Sequence, residues 1–337
     1  MRPFRRLKNR IYLESDQFIK RDFGVQTKPI CTCGTCSAIR IPKLKKDIAI
    51  IYSRGTSQLA SIQMRLVQSA GHLKYINPNL NIKGFCLQSS EIYTISNSNI
   101  ILTKFALENI SNFDLLQLSK NNTIFADIVD LRINTEKLKR IDKVIASSNA
   151  QFSFLRDQNL ESVDLIYHTA DFRLRGTQAQ QNFFSIAYFG SMSRIPQDFI
   201  GISDLSVINT PLSYEAFRKK PIYAKKLTEY SSHLVVGTSV DKLVFKPFTK
   251  GLIASSIGAT TLISKDDSEA MSLLGQNYPY ITASKSRKSV ENLMDFMRST
   301  FLKEEWFLAQ AKHRELLKYC CELRTLNQWT QVLNFDN

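Results

Sequence analysis

Short runs of wholly apolar or β-branched residues recur along the chain. Each leads into a polar or glycine-bearing turn and then into residues at helical spacing. Ile48–Tyr52, Ile100–Phe105, Thr123–Val129, Lys143–Ser147 and Val163–Tyr167 form a first series. Phe184–Phe189, Leu205–Ile208, His233–Val236, Leu243–Phe245 and Thr260–Ile263 form a second. Runs that are apolar throughout, rather than alternating, predict strands covered on both faces, as in a parallel sheet between helices. Helices are predicted between them. Leu59, Ile62, Leu66 and Val67 mark one that Gly71 stops, and others span Asn112–Leu118, Thr135–Ile141 and Asn149–Asp157. In the second series they span Tyr214–Lys219, Tyr223–Tyr230, Asp267–Leu274, Val290–Phe301 and Glu304 to about Leu323. The polar stretch 172–182 separates the series. The expected fold class is α/β, with two Rossmann-like doubly wound domains facing across a cleft. The expected division is a basic extension over 1–46, a first domain over 47–175, a second over 176–303, and a C-terminal helix over 304–337 that crosses back to the first.

At 337 residues the chain exceeds the size at which one core stops growing, which agrees with two domains. Its 45 Lys and Arg against 30 Asp and Glu give a net charge of +15. That favours an anionic partner: nucleic acid, an anionic membrane surface or a phosphorylated substrate. No apolar run is long enough to span a membrane, and the basic start MRPFRRLKNR lacks the apolar core of a secretory signal. Six scattered cysteines, two of them the adjacent Cys320 and Cys321, fit a reducing cytoplasm rather than a disulfide scaffold. The cytoplasm is the expected location, with peripheral attachment to a membrane as an option.

Three stretches carry candidate chemistry. Lys246-Pro247-Phe248-Thr249-Lys250-Gly251 lies between a predicted strand and a helix that Gly258 ends. A helix start offers unpaired amides and a positive dipole end, so this turn can hold a phosphate. Thr249 and Gly251 permit close approach, and Lys246 and Lys250 add charge. The same spacing also describes an ordinary strand-to-helix turn. Arg54-Gly55-Thr56 follows the first predicted strand, where doubly wound folds collect ligands, but it lacks the spacing of a dinucleotide fingerprint. Cys31, Cys33 and Cys36 supply three thiols within six residues. A closed zinc site needs a fourth ligand, for which Cys86 and His72 are the candidates; free thiols in a mobile arm are the other reading.

Tyr188–Arg194 resembles the first strand and glycine turn of the donor domain in group-1-like glycosyltransferases of the GT-B class. Lys246–Gly258, followed by Leu262–Ser264, is similar to their donor-site loop and helix. Lys143–Ser148 resembles the strand and serine turn near the end of their acceptor domain. The resemblance covers residues 47–325 through short motifs. It implies metal-independent transfer of a sugar from a nucleotide-diphosphate sugar, with no further cofactor, to a glycan or lipid-linked acceptor. Arg194, Lys246 and Lys250 would then offset the diphosphate charge, with Gly190, Ser191, Thr249 and Gly251 giving hydrogen bonds or close approach. An inverting reaction also needs a base, for which Asp130, His168 and Asp171 at predicted strand ends are candidates. Asp130 pairing with Arg132, and Asp171 capping the hinge, are the structural alternatives. Retaining members carry two glutamates around the donor loop. This chain has Lys246 and Ile253 there and no glutamate before Glu269, which leaves the stereochemistry open. A DNA-modifying glucosyltransferase of the same fold, with DNA as the acceptor, and a non-catalytic nucleotide-sugar or glycan binder are the alternatives.

Overall fold

A computed structural model describes residues 26–56, 59–131, 134–160, 162–210, 222–236 and 245–334. The predicted helix Tyr214–Lys219, residues Leu243 and Val244 of a predicted strand, and Arg132 lie outside the described residues.

The first sheet is built from β1 (Asp47–Tyr52), β2 (Ile82–Cys86), β3 (Ser98–Thr103), β4 (Thr123–Asp127), β5 (Lys143–Ala146) and β6 (Val163–Leu165). All its pairings are parallel, in the order β2-β1-β3-β4-β5-β6. Alternate residues of one strand face opposite layers. Ile48, Ile50 and Tyr52 join one apolar layer, and Ala49 and Ile51 join the other. The first layer is closed by α1 (residues 60–76), through Leu66, Ala70 and Leu73. The second is closed by α2 (Lys104–Asn109), α3 (Asn112–Ser119), the short α4 (Thr135–Leu138) and α5 (Asn149–Asp157). Helices on both faces are the reason these strands read as unbroken apolar runs.

The second sheet comprises β7 (Ile186–Gly190), β8 (Leu205–Asn209), β9 (Ser232–Leu234), β10 (Thr260–Ser264) and β11 (Ile281–Thr282). It is parallel, in the order β11-β10-β9-β7-β8. Its helices are α6 (Ile222–Leu227), α7 (Thr249–Ser256), α8 (Ser268–Leu274), α9 (Arg287–Ser299) and α10 (Glu304–Cys320). Gly258 follows α7 with φ +77°, the left-handed conformation expected of a residue that ends a helix. In each sheet the winding reverses beside the first strand of the series, β1 against β3 and β7 against β9. Ligands of doubly wound sheets collect at such reversals, outside the carboxyl ends of the strands.

Several expectations are corrected. Gly71 does not stop the first helix, which continues to Ile76. Gly71 is buried within it, and its carbonyl accepts the Thr27 amide at 3.0 Å. The C-terminal element is two helices rather than one. The chain turns extended at Cys321 (φ −65°, ψ 129°) and resumes as α11 (Glu322–Leu333). Leu326, Trp329, Val332 and Leu333 of α11 pack on Ile48, Ile50 and Ile101 of the first sheet. Burying four such side chains contributes about 1.5–3 kcal/mol each, enough to anchor the return crossing. Residues 26–46 are no free arm: Ile41 and Leu44 reach the same apolar layer.

Candidate functional site

The carboxyl end of β7 and the start of α7 meet at close range. Lys250 Nζ lies 3.7 Å from the centroid of the Tyr188 ring. A side chain at Gly190 would fall 2.8 Å from the Tyr188 hydroxyl and 3.0 Å from Lys250 Nζ, so only glycine leaves room for this approach. Gly251 is also obligatory, for a different reason from the expected one. A Cβ there would fall 1.9 Å from the Phe248 ring, and Phe248 is buried beneath the turn. Gly251 thus accommodates an aromatic anchor that fixes where α7 begins.

Three cations share this corner. Burial, then Arg194, then Lys246 push the Lys250 ammonium down from its ordinary 10.5 to about 7. Lys246 is lowered by burial and then by Arg194. Arg194 is exposed at the end of the short turn Met192–Arg194, whose backbone is closed by the Arg194 amide donating to the Ser191 carbonyl at 3.0 Å. In the first turn of α7 the Thr249 amide donates to the Pro247 carbonyl at 2.8 Å and the Leu252 amide to the Phe248 carbonyl at 3.0 Å, which leaves the amides of Lys250 and Gly251 without a partner four residues back. The charges of Asp130 and Asp267 also reach Lys246 and partly offset the repulsion among the cations; ammonium and guanidinium groups gathered beside a helix start are the kind of arrangement that suits an anionic group.

The first sheet faces this corner. The field of Asp130 acts on Lys246 to raise its pKa, and that of Lys104 acts to lower it. Lys104, just past β3, forms an ion pair with Asp130, just past β4. At the end of β1, Arg54 donates its amide to Gln88 Oε1 at 2.9 Å, Gly55 takes φ +77°, and Thr56 Oγ1 donates to the Ser53 carbonyl at 2.7 Å. Arg54-Gly55-Thr56 is therefore a closed turn at the reversal of the first sheet.

The other two base candidates are placed differently. Asp171 is buried and accepts from Gln68 Nε2 at 2.9 Å and from Arg173 Nε at 2.8 Å. Its carboxylate caps the turn Phe172–Leu174, which matches the structural alternative. His168 is buried with neither ring nitrogen in a hydrogen bond. Burial, followed by Arg65 and Lys104, holds it well below its usual value. Asp130 alone of the three has a partly exposed carboxylate, and its charge reaches Lys246.

Two residues with no assigned role in the sequence reading matter here. Arg65 lies in a π turn over Gln63–Val67 within α1 and is 2% exposed. Its Nε donates to Asp127 Oδ1 at 2.6 Å, and its other nitrogens reach the carbonyls of Ile166 and Ala146. It thereby ties together the carboxyl ends of β4, β5 and β6. Glu269, at the start of α8, crosses to the first sheet's side and accepts the Ala150 amide at the start of α5 at 3.2 Å. Asn149 Nδ2 donates to Ser272 Oγ at 2.9 Å beside it. Burial raises the Glu269 carboxyl to about 7. Only an unexpected charge inside an apolar helical face could have marked Arg65, and nothing local marks Glu269.

Among solved structures, Anabaena HepE in complex with UDP is similar to 84% of this chain, over 98% of its own length, at TM-score 0.55 and 13% identity. A DNA-modifying β-glucosyltransferase, solved with and without uridine diphosphoglucose, is similar to 86% of this chain over 100% of its own. That likeness has a TM-score of 0.44 and 12% identity. No family model matches the chain, and no curated protein matches it. The two parallel sheets, each between layers of helices, have the GT-B fold.

Proposed function

We propose that this protein is a glycosyltransferase that takes its sugar from a nucleotide-diphosphate donor. The observation that carries this reading is the gathering of Arg194, Lys246 and Lys250 at the reversal point of the second sheet, opposite Asp130 on the first. Departure of a nucleoside diphosphate develops negative charge on the leaving oxygens. Prearranged cations and helix amides stabilise that charge without reorganising. Arg194 supplies parallel donors to two phosphate oxygens, and Lys250 and Lys246 supply point charges. Gly190 and Gly251 hold the walls in place. Asp130 takes the acceptor hydroxyl proton in an inverting displacement, and Lys104 positions its carboxylate. The acceptor is a glycan or lipid-linked sugar, and the excess positive charge of the chain favours an acceptor held at an anionic membrane surface.

Because the fold neighbour was solved with UDP, uridine diphosphate is the first probe. Calorimetric titration at low salt should show binding at one site, weakened on the order of a hundredfold by Arg194→Ala. Release of nucleotide diphosphate from a panel of donor sugars then separates transfer from binding alone. Wild-type protein that binds no nucleoside diphosphate, or binds it unchanged in the Arg194→Ala variant, refutes the reading.

A further inference from the structure

The cysteine-rich segment has a partner that its own sequence does not reveal. Cys31, Cys33 and Cys36 meet Cys321, with all four sulfurs within 4.8 Å of one another. The Cys31–Cys33 sulfurs are 3.7 Å apart, Cys33–Cys36 3.4 Å and Cys36–Cys321 3.3 Å. Neither expected fourth ligand takes part. Cys86 is in the core beside Gln88 Oε1, and His72 stands beside Glu322.

We infer that these four cysteines form a structural tetrathiolate site for one zinc ion. A tetrahedron with Zn–S bonds of about 2.3 Å has edges of about 3.8 Å, close to the spacing found. A disulfide needs sulfurs about 2.05 Å apart, and Cys31, Cys33, Cys36 and Cys321 are each free. The sulfurs also lie too close together to enclose a multi-iron cluster.

The surroundings fit a bound dication with four thiolates, which carries a net charge of −2. Arg324, on the first turn of α11, faces the thiols of Cys33 and Cys36 and donates to Thr35 Oγ1 at 2.9 Å. Thr35 Oγ1 lies 3.2 Å from Cys33 Sγ. Hydroxyl and guanidinium donors to the ligating sulfurs are the outer partners such a site uses. Cys36 and Cys321 are buried, so part of the site is closed to solvent.

The position gives the site its role. Cys321 is the extended residue between α10 and α11, where the chain leaves the second sheet and returns to the first. Cys36 is 285 residues away in sequence. Around them Ile30 donates its amide to Glu322 Oε2 at 2.9 Å, and Arg175, from the stretch linking the sheets, donates through Nε to Glu322 Oε1 at 2.9 Å. A metal ion here would fasten the N-terminal segment, the interdomain link and the return crossing at one point. Because metal binding to such a site is coupled to folding, the ion would act as a clamp on the relative setting of the two sheets rather than as a catalyst.

The test is elemental analysis of the full-length protein, purified without chelator from zinc-supplemented cells. About one zinc per chain is expected. Cys33→Ser and Cys321→Ser should lose it, whereas Cys86→Ala should retain it. Should the cysteine variants fail to fold, wild-type protein stripped of metal and refilled with Co²⁺ provides a second readout. Intense visible bands and sulfur-to-metal charge transfer of tetrahedral tetrathiolate Co²⁺ are expected. Mercurial titration should release the zinc as four thiols are modified. Metal-free protein with no such Co²⁺ spectrum, a disulfide among the four, or stoichiometric iron in place of zinc each overturns the assignment.

Discussion

Replacing Lys250 by Met should stabilise the fold while abolishing nucleotide binding. Burial and the neighbouring Arg194 and Lys246 lower the ammonium from 10.5 to about 7. The charged form is therefore disfavoured in the folded protein by about 3.5 pKa units, or on the order of 5 kcal/mol at about 1.4 kcal/mol per unit. The Tyr188 ring face, 3.7 Å from Nζ, gives back about 1–2 kcal/mol through its attraction for the cation. A net strain of about 3 kcal/mol remains at and below neutral pH. Between pH 7 and 10.5 the unfolded chain binds this proton and the folded chain does not, so stability rises with pH across that window. Met keeps the aliphatic stem against Tyr188 and removes the charge. Urea unfolding of both proteins from pH 6 to 10 should show the variant more stable by about 3 kcal/mol at pH 6–7, with the difference shrinking toward pH 10. A bound diphosphate restores the proton, so wild-type affinity for UDP should fall by up to about tenfold per pH unit above 7. The reasoning fails if Lys250→Met is less stable than wild type at pH 7, or if the stability difference does not change with pH.

Asp130→Asn should leave UDP affinity unchanged while lowering sugar transfer by about 10²–10⁴-fold in steady-state assays; equal turnover would remove Asp130 as the base. Arg65→Met strands the Asp127 carboxylate among apolar strands and should cost about 3–5 kcal/mol in denaturant unfolding, with the added change Asp127→Asn recovering much of it. Glu269 has its carboxyl raised from 4.5 to about 7, so its neutral form gives stability that is full below pH 4.5 and lost as pH rises through 7. Glu269→Gln should remove that dependence and gain about 3 kcal/mol at pH 8, read as a difference in chemical unfolding. Gly251→Ala drives a methyl into the Phe248 ring and should lower stability by about 1–3 kcal/mol, seen as a reduced melting temperature.

The sheets were legible because their strands are buried on both faces, which writes them into the chain as apolar runs. β2 was missed for the converse reason. Ile-Lys-Gly-Phe-Cys is an edge strand with its lysine exposed, and neither run nor clean alternation survives there. Gly71 misled because isolated glycine weakens a helix but does not end one when the helix is held by packing. The basic turn before α7 was readable as a phosphate site, yet the part played by Gly251 depends on where Phe248 lies. The break at Cys321 carries no glycine or proline. It is set by contacts to residues 30, 36 and 175, far along the chain, and local propensity holds no record of them.

The distant contacts also bear on how the proposed donor and acceptor groups are brought together. Arg194, Lys246 and Lys250 belong to one sheet, and Asp130 and Lys104 to the other, so their separation depends on the joints between the halves. Glu269 of α8, docked on the start of α5, is one joint, and burial raises its carboxyl to about 7. The crossing at Cys321 is another, fixed on one side by Trp329 and its neighbours in the first sheet's apolar layer. It is fixed on the other by Trp306, Ala309 and Leu316 of α10 in the second sheet's layer. A crossing anchored at both ends leaves small rotations about it as the motion that would close the proposed site. On the proposed reading, a base carried by one half and a leaving-group receptor carried by the other would be brought into register by the same motion that expels water from between them.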